Sequence, residues 1–353
     1  MAGRELLLVG DAGGTKTRLA LYEPAAGRSP AAARQVRHRR GRDPRGTVRL
    51  IERATYPSAS FPALDAIARE YLRRTGARPG RAVFGVAGPV VEGRAEITNL
   101  PWRISETALR RSLRVRTVRL LNDLVATAWA VPALGPRDAR VINRGAAELG
   151  GTIAVIAPGT GLGQAFLTWD GTRYRAYPSE GGHSDFAPPT ELAAELLAFL
   201  RPTVAHVSVE WVCSGMGIPH LYRFLKARGL PEPEWLAARL AAADDPAPVI
   251  AAAALDRERP CPIARQTLDL FIDILGAEAA NLAVKVLATG GVYLAGGIPP
   301  KIASAFVDGR FMRAFTRKGR VSDLVARVPV RLVVHPEPAL LGAVRAALDG
   351  AGA

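Results

Sequence analysis

The sequence has little cysteine, little lysine and no long apolar run. Its 353 residues include only two cysteines, Cys213 and Cys261, which cannot build a disulfide framework or a closely spaced pair of metal ligands. Structural zinc is therefore not expected. The longest apolar stretches, such as residues 6–9, are far shorter than the roughly 20 residues of a membrane-spanning helix. No apolar signal-peptide region precedes Asp11, so we expect a cytoplasmic protein.

Only five of the 47 basic residues are lysines, and the formal net charge is +15. That charge would suit a polyanionic partner, but joint enrichment in arginine and alanine is also typical of a biased genome composition. The densest basic run, residues 34–45, has no aromatic side chain that could stack on a nucleobase. We therefore favour a solvated basic face over nucleic-acid binding, and residues 28–53 have no assigned role.

The length and the order of apolar segments predict an α/β protein with two related halves. A chain of 353 residues can form two domains, and 48% hydrophobic residues suit a globular chain. Residues 5–10 and 17–22 flank Asp11-Ala-Gly-Gly-Thr15, and paired glycines favour a tight hairpin turn. The same order of strand, glycine turn and strand returns at residues 152–169. Two halves with a cleft between them are predicted.

The remaining apolar segments follow helical or buried-strand patterns. Helices are predicted at residues 64–75, 124–130, 191–200, 217–228, 234–243, 262–287 and 338–348. Strands are predicted at residues 82–87, 117–121, 291–295 and 330–334. This alternation of strands and helices is typical of α/β folds.

Three glycine turns follow predicted strands and predict a nucleotide site. They are Gly13-Gly14-Thr15, Gly159-Thr160-Gly161 and Gly296-Gly297. Backbone N–H groups at such turns can approach phosphate oxygens closely, and a strand-end carboxylate such as Asp11 can hold a hydrated Mg²⁺. The first turn does not match the Gly-x4-Gly-Lys-Ser/Thr loop, which excludes that fold for this stretch. Each turn alone could be an ordinary hairpin, but three in matched halves favour a nucleotide across a cleft.

A second group of polar residues lies where side chains could contact a ligand or accept a proton from a substrate hydroxyl. Asn122 and Asp123 lie between a predicted strand and a predicted helix, where they could cap the helix or supply a general base. Glu180 and His183 lie on one glycine turn and could face one ligand, but no third metal ligand is obvious. Glu210 is a single acid in an apolar stretch, and taken by itself it is typical of an acidic residue in the first turn of a helix.

Together these segments resemble the bacterial glucokinase family, in the hexokinase, sugar kinase and actin-like superfamily. The resemblance runs in order over residues 5–348. Its motifs are Asp11-Ala-Gly-Gly-Thr15, Ala87-Gly88-Pro89, Thr98-Asn99-Leu-Pro-Trp102, Leu121-Asn-Asp123, Pro158-Gly-Thr-Gly-Leu-Gly163, the quite specific Ser179-Glu-Gly-Gly-His183, Ser214-Gly215, Gly290-Gly-Val-Tyr-Leu-Ala-Gly-Gly297 and Pro338-Ala-Leu-Leu-Gly342. The departures, at Ala12, Gln164, Met216 and Ala280, remove no charged or hydroxyl-bearing site residue.

The resemblance implies a two-domain actin-like ATPase fold of the ribonuclease H-like type, with the active-site cleft between the domains. The implied domains are a small α/β domain at residues 1–133, completed by a C-terminal helix at 336–350, and a large domain with a helical insertion at 134–335. The implied reaction is ATP-dependent phosphorylation of D-glucose to glucose 6-phosphate, the entry to glycolysis, with Mg²⁺. A homodimer is also implied.

The resemblance also implies roles for individual residues. Asp123 would be the general base at the 6-hydroxyl. The sugar would be bound by Asn122, Asp123, Glu180, His183 and Glu210. The nucleotide would be bound by Asp11, Gly13, Gly14, Thr15, Lys16, Gly159, Thr160, Gly161, Gly296 and Gly297, with Asp11 holding Mg²⁺ through water.

Two other functions stay open. One is a kinase of the same fold that acts on mannose, glucosamine or another hexose, and the donor could be ATP, ADP or polyphosphate. The other is a non-catalytic, sugar-responsive regulator, although no helix-turn-helix extension is recognisable. A related kinase family with a zinc-binding cysteine cluster is disfavoured, because two cysteines cannot supply that cluster.

Overall fold

The structure is a computed structural model that describes residues 5–24, 48–97 and 100–349. The strands are β1 Leu6–Ala12, β2 Lys16–Pro24, β3 Val48–Pro57, β4 Pro79–Val86, β5 Val90–Val91, β6 Arg94–Glu96, β7 Arg103–Ser105, β8 Thr117–Asn122, β9 Ala139–Asn143, β10 Ile153–Pro158, β11 Leu162–Trp169, β12 Tyr174–Ser179, β13 Gly291–Leu294 and β14 Val330–Val333. The basic run at residues 34–45 and two motif residues, Thr98 and Asn99, lie outside the described residues.

The helices and short 3₁₀ turns complete the described elements. The α-helices are α1 Leu64–Thr75, α2 Glu106–Leu113, α3 Asp123–Ala130, α4 Glu191–Leu200, α5 Ile218–Ala227, α6 Glu234–Ala241, α7 Pro246–Leu255, α8 Pro262–Lys285, α9 Arg310–Thr316, α10 Ser322–Ala326 and α11 Pro338–Leu348. The 3₁₀ turns are Ser58–Ser60, Val131–Ala133, Gly181–His183, Arg201–Thr203, Val209–Trp211, Ala303–Phe306 and Gly319–Val321. Within the described ranges, no helix is long and apolar enough to cross a bilayer.

The chain packs into two compact units. The first contains Met1–Asp138, Asp170–Pro178 and His335–Ala353, and the second contains Ala139–Trp169 and Ser179–Val334. These units are groups of packed residues. The domain limits at residues 133 and 335 stay a prediction.

The first unit is built on a five-stranded sheet in the order β3-β2-β1-β4-β8. Strand β1 pairs antiparallel with β2 and parallel with β4, which pairs parallel with β8. Successive side chains of a strand face opposite sides. Leu8 therefore shares a core with α2 residues such as Leu109, whereas Val9 shares one with Val125 of α3 and Val344 of α11. Because β1 packs on both faces, its residues 6–9 form a continuous apolar run.

Helix α3 is fixed by close packing against α11. A Cβ atom at Gly342 would lie 1.6 Å from the carbonyl oxygen of Ala126, so these two backbones approach to a distance that only glycine allows. Gly85 of β4 likewise faces the first turn of α3, because a Cβ there would lie 3.2 Å from Ala126 Cβ. These contacts determine where Asp123, the first residue of α3, is placed.

The second unit repeats the strand arrangement of the first. Its strands run in the order β11-β10-β13-β14-β9, with β10 antiparallel to β11 and parallel to β13. The first four of these strands match the order β2-β1-β4-β8, and β9 is an additional strand that pairs antiparallel with β14. Each unit contains a hairpin that carries a glycine turn. The predicted pair of matching hairpins is therefore confirmed. The 24-residue helix α8 lies in the core of this unit, with most of its side chains buried.

Most predicted elements are confirmed within a few residues. Helices α1, α4 and α11 have the predicted bounds, and the other predicted helices shift by one or two residues at an end. The elements without a sequence prediction are β3, β5 to β7, β9, β12, α2, α7, α9 and α10.

Candidate functional site

In the first unit, the glycine turn at residues 13–15 joins β1 to β2 and is held by Ser58. The Oγ atom of Ser58 donates a hydrogen bond to the Gly13 carbonyl at 2.7 Å, and the Ser58 N–H donates to the Thr15 carbonyl at 3.0 Å. Thr15 and Lys16 are exposed at this tip. The predicted nucleotide residues of this hairpin therefore form one braced turn.

Asp11, at the end of β1, faces Arg18 across the hairpin. Arg18 Nη1 donates to Asp11 Oδ2 at 3.0 Å, and Arg18 Nε lies 3.9 Å from Glu337 Oε1. Burial raises the pKa of Asp11, and the charge and hydrogen bond of Arg18 oppose that rise. Asp11 Oδ1 has no hydrogen-bond partner among residues 5–24, 48–97 and 100–349. A contact with a hydrated cation through this oxygen is compatible with the geometry.

Asn122 and Asp123 lie at the junction of β8 and α3. Asn122 caps the helix, because its Oδ1 accepts hydrogen bonds from the N–H groups of Leu124 at 3.0 Å and Val125 at 3.2 Å. Its Nδ2 donates to the Gly88 carbonyl at 3.1 Å. Asp123 Oδ1 accepts from the Leu124 N–H at 2.8 Å. The helix-cap alternative is therefore correct for Asn122, and Asp123 lies at the positive end of the α3 dipole.

In the second unit, three of the predicted sugar residues lie together. His183 Nε2 is 3.9 Å from Glu180 Oε2, and His183 Nδ1 is 4.0 Å from Glu210 Oε1. The Glu210 side chain is 18% exposed, whereas those of Glu180 and His183 are 70% and 63% exposed. The largely buried Glu210 carboxylate thus lies beside two accessible polar side chains. Together they can accept hydrogen bonds from a hydroxyl-rich ligand and donate hydrogen bonds to it.

The first residues of β11 hold this cluster in place. The Leu162 N–H donates to Glu210 Oε2 at 2.7 Å, and a Cβ at Gly161 would lie 2.3 Å from the same oxygen. On the other side, a Cβ at Gly182 would lie 2.0 Å from the Leu162 carbonyl oxygen. Glycine at 182 is therefore required for the 181–183 turn to approach the strand, and glycine at 161 leaves room for the Glu210 carboxylate in this position.

The two predicted nucleotide turns of the second unit are neighbours. Gly296 has φ +84°, and a Cβ there would lie 2.5 Å from the carbonyl oxygen of Pro158, the residue before the 159–161 turn. The Gly215 N–H donates to the Gly159 carbonyl at 2.7 Å, which braces that turn. A Cβ at Gly159 or Gly297 would meet no atom of a non-adjacent described residue within 4 Å. The adjoining turns therefore present open backbone, as an approaching phosphate requires.

Several residues of these sites were not predicted from the sequence. They are Arg18, Ser58 and the buried pair of Gln164 and Glu278, in which Gln164 Nε2 donates to Glu278 Oε1 at 2.8 Å. A sequence signal existed for Glu278, since a single acid in the apolar stretch 274–280 is unusual for a core helix. In the part of the chain that the structure describes, no cluster of three or more His, Cys, Asp or Glu could hold a metal.

The fold places the chain in a structural class. A crystal structure of glucokinase from an Antarctic psychrotroph matches 97% of this chain and 98% of its own, with a TM-score of 0.77 and 34% identity. A ROK family glucokinase from Streptomyces griseus, solved in complex with glucose and AMPPNP, matches with a TM-score of 0.59 over 96% and 98% of the two chains. At 19% identity, that match shows the fold alone. The chain has the two-domain actin-like ATPase fold of these sugar kinases.

The sequence comparisons identify the family. The glucokinase family model matches residues 8–349. A glucokinase of Nostoc punctiforme is 37% identical over 353 residues, covering 96% of this chain and 97% of that protein. The chain therefore belongs to the glucokinase family, and the predicted family and fold class are confirmed.

Proposed function

We propose that this protein is a glucokinase that transfers the γ-phosphoryl group of ATP to the 6-hydroxyl of D-glucose, giving glucose 6-phosphate and ADP. Membership of the glucokinase family over nearly the whole chain supports this reaction. The structural observation that carries the proposal is the cluster of Glu180, His183 and Glu210 beside the glycine turn at residues 159–161.

The cluster is suited to binding a polyol. Two carboxylates accept hydrogen bonds from hydroxyls, and the His183 ring can donate from one nitrogen and accept at the other. Glu210 is oriented by the Leu162 N–H, so its remaining oxygen is presented in a fixed direction. A site that hydrogen-bonds each hydroxyl rejects an analogue that lacks one, because its own polar groups are then left unpaired. Asn122, already engaged as a helix cap, would contribute through its second amide N–H.

Asp123 is proposed as the general base. It would accept the 6-hydroxyl proton as that oxygen attacks the γ-phosphorus. One carboxylate oxygen is fixed by the Leu124 N–H, and the start of α3 favours negative charge at this point. Close packing of Gly342 on Ala126 holds the helix. The base is therefore carried on a rigid element, as proton transfer with defined geometry requires.

The glycine turns are proposed to bind the nucleotide. Thr15 and Lys16 are exposed at the tip of the first hairpin, where a hydroxyl and an ammonium group suit phosphate oxygens. Gly159, Thr160 and Gly161 would present backbone N–H groups to the phosphates, with Gly296 and Gly297 near the adenosine. Magnesium bound to ATP would neutralise phosphate charge. Asp11 would hold it through water, using the oxygen that Arg18 leaves available.

The test is a coupled assay of ADP release with purified protein, ATP and Mg²⁺ over a sugar panel. Glucose is expected to give the highest kcat/KM, with mannose and glucosamine lower. The compound 6-deoxyglucose should inhibit competitively without turnover, because it lacks the accepting hydroxyl. A higher kcat/KM for mannose or glucosamine would assign the protein to the other hexose, and no turnover of any sugar would contradict a kinase. The cytoplasmic location and the homodimer stay predictions, and light scattering after gel filtration would test the dimer.

A further inference from the structure

The second unit contains a buried polar pair outside the proposed ligand contacts. Gln164 of β11 and Glu278 of α8 are each only 4% exposed. Gln164 Nε2 donates to Glu278 Oε1 at 2.8 Å. Burying a carboxylate costs folding free energy unless its oxygens are hydrogen-bonded. The hydrogen bond from Gln164 therefore offsets part of the cost of burying Glu278.

The second oxygen of Glu278 is also engaged. Asn281 Nδ2 donates to Glu278 Oε2 at 2.9 Å, and Lys318 Nζ donates to Asn281 Oδ1 at 2.5 Å. The carboxylate is thus held by Asn281 of the same helix α8, and Lys318, which follows α9, orients the Asn281 amide. It provides a fixed anchor on which the amide of Gln164 is oriented.

That orientation determines what faces the proposed sugar site. A carboxylate only accepts hydrogen bonds, so the NH₂ group of Gln164 must face Glu278 and its oxygen must face away. A Cβ at Gly181 would lie 2.2 Å from Gln164 Oε1, so the amide oxygen lies directly against the turn between Glu180 and His183. Gln164 therefore supports the turn that carries two of the proposed sugar ligands.

We propose that Gln164, oriented by Glu278, is a positioning residue for glucose. It sets the position of the 181–183 turn on β11, and thereby the position of Glu180 and His183 relative to Glu210. The same short stretch of β11 orients Glu210 through the Leu162 N–H. This inference rests on the proposed sugar-binding role of Glu180 and His183 and adds the residues that maintain their geometry.

The test compares the KM values for glucose and ATP of the Gln164→Met variant with those of the parent. Methionine keeps the side-chain length but cannot donate a hydrogen bond to Glu278. The KM for glucose is expected to rise about tenfold, while the KM for ATP stays within twofold. Glu278→Gln keeps an oxygen that can accept from Gln164, so its glucose KM should stay within about threefold. Asn281→Leu removes one hydrogen bond from Glu278 but leaves Gln164 intact, so its glucose KM should rise less than that of Gln164→Met. Thermal melts followed by circular dichroism verify folding.

Two outcomes overturn the inference. One is a folded Gln164→Met protein with glucose KM within twofold of the parent, and the other is an equal rise in the KM values of glucose and ATP. If Gln164→Met does not fold, Gln164→Asn serves instead, because it keeps the amide but is too short to contact both partners. Glu180→Gln, assayed in parallel, tests the proposed sugar site separately from the positioning role of Gln164. An unchanged glucose KM there refutes the proposed sugar site itself, whereas a raised value beside an unaffected Gln164 variant refutes only the positioning role.

Discussion

Replacing Gly161 by alanine is expected to weaken glucose binding through a residue that is proposed to contact phosphate. The added Cβ would lie 2.3 Å from Glu210 Oε2, well inside contact distance. Because that oxygen accepts the Leu162 N–H at 2.7 Å, the carboxylate must shift, which breaks or weakens this hydrogen bond. The largely buried Glu210 would then present its other oxygen in the wrong direction.

The largest rise expected in the glucose KM corresponds to complete loss of this hydrogen bond. A hydrogen bond to a charged group contributes about 1.5–3 kcal/mol. If that energy positions Glu210 for the sugar, its loss corresponds to a roughly 10- to 150-fold higher KM for glucose, at about 1.4 kcal/mol per tenfold change. Both the sugar and the phosphate turn are affected, so kcat should also fall.

The assay is coupled ADP release with glucose varied at saturating ATP, and Gly159→Ala is the matched variant. A Cβ at Gly159 would lie more than 4 Å from Glu210 and from every other non-adjacent residue that the structure describes, so Glu210 is not disturbed and the glucose KM should stay within twofold. The ATP KM of Gly159→Ala should rise, because the added methyl group occupies the open side of the turn. A Gly161→Ala enzyme with unchanged glucose KM would refute the argument that Glu210 is positioned for the sugar.

Two further predictions concern the supports of the site. Gly342→Ala should lower stability by about 1–3 kcal/mol, because its Cβ overlaps the Ala126 carbonyl. Urea unfolding measures this loss, Gly297→Ala is the control with open space around its Cβ, and an unchanged midpoint would contradict the packing. His220 Nδ1 lies 2.9 Å from the Trp211 carbonyl oxygen, and burial lowers the His220 pKa below 6.5. Stability from neutral His220 is complete above pH 6.5 and is lost as pH falls through the lowered pKa, so the parent should lose more stability between pH 7 and 5 than His220→Gln. Equal losses of stability in the parent and in His220→Gln would exclude His220 as the cause of the destabilisation at low pH.

Sequence patterns predicted the elements that have strong local signals. Both glycine hairpins and the buried strands β10 and β13 follow from apolar runs bounded by glycine. Strand β3 was not predicted because the adjacent pairs Leu50-Ile51 and Glu52-Arg53 interrupt the apolar–polar alternation of a strand, and nearly all residues of this edge strand are at least partly exposed. Helix α7 was not predicted because its buried positions are largely alanine, which carries little hydrophobic periodicity.

The candidate site was predictable only where one segment carries the chemistry. Glu180 and His183 share a turn, so their proximity follows from the sequence. The contacts of Glu210 with Leu162, and of Gln164 with Glu278, join residues 48 and 114 positions apart and depend on the packed fold. For Asn122 the sequence allowed both a helix cap and a sugar ligand. The structure shows the helix cap.

The central claim is that Asp123 acts as the base in glucose phosphorylation, and the kcat of Asp123→Asn tests it most directly. Asparagine keeps an oxygen that can accept the Leu124 N–H, so the start of α3 should remain folded. A general base contributes roughly 10²–10⁴ in rate. The kcat with glucose and ATP should therefore fall about a hundredfold or more, with the glucose KM changed only several-fold. A folded Asp123→Asn enzyme that turns over within a few-fold of the parent would contradict the account.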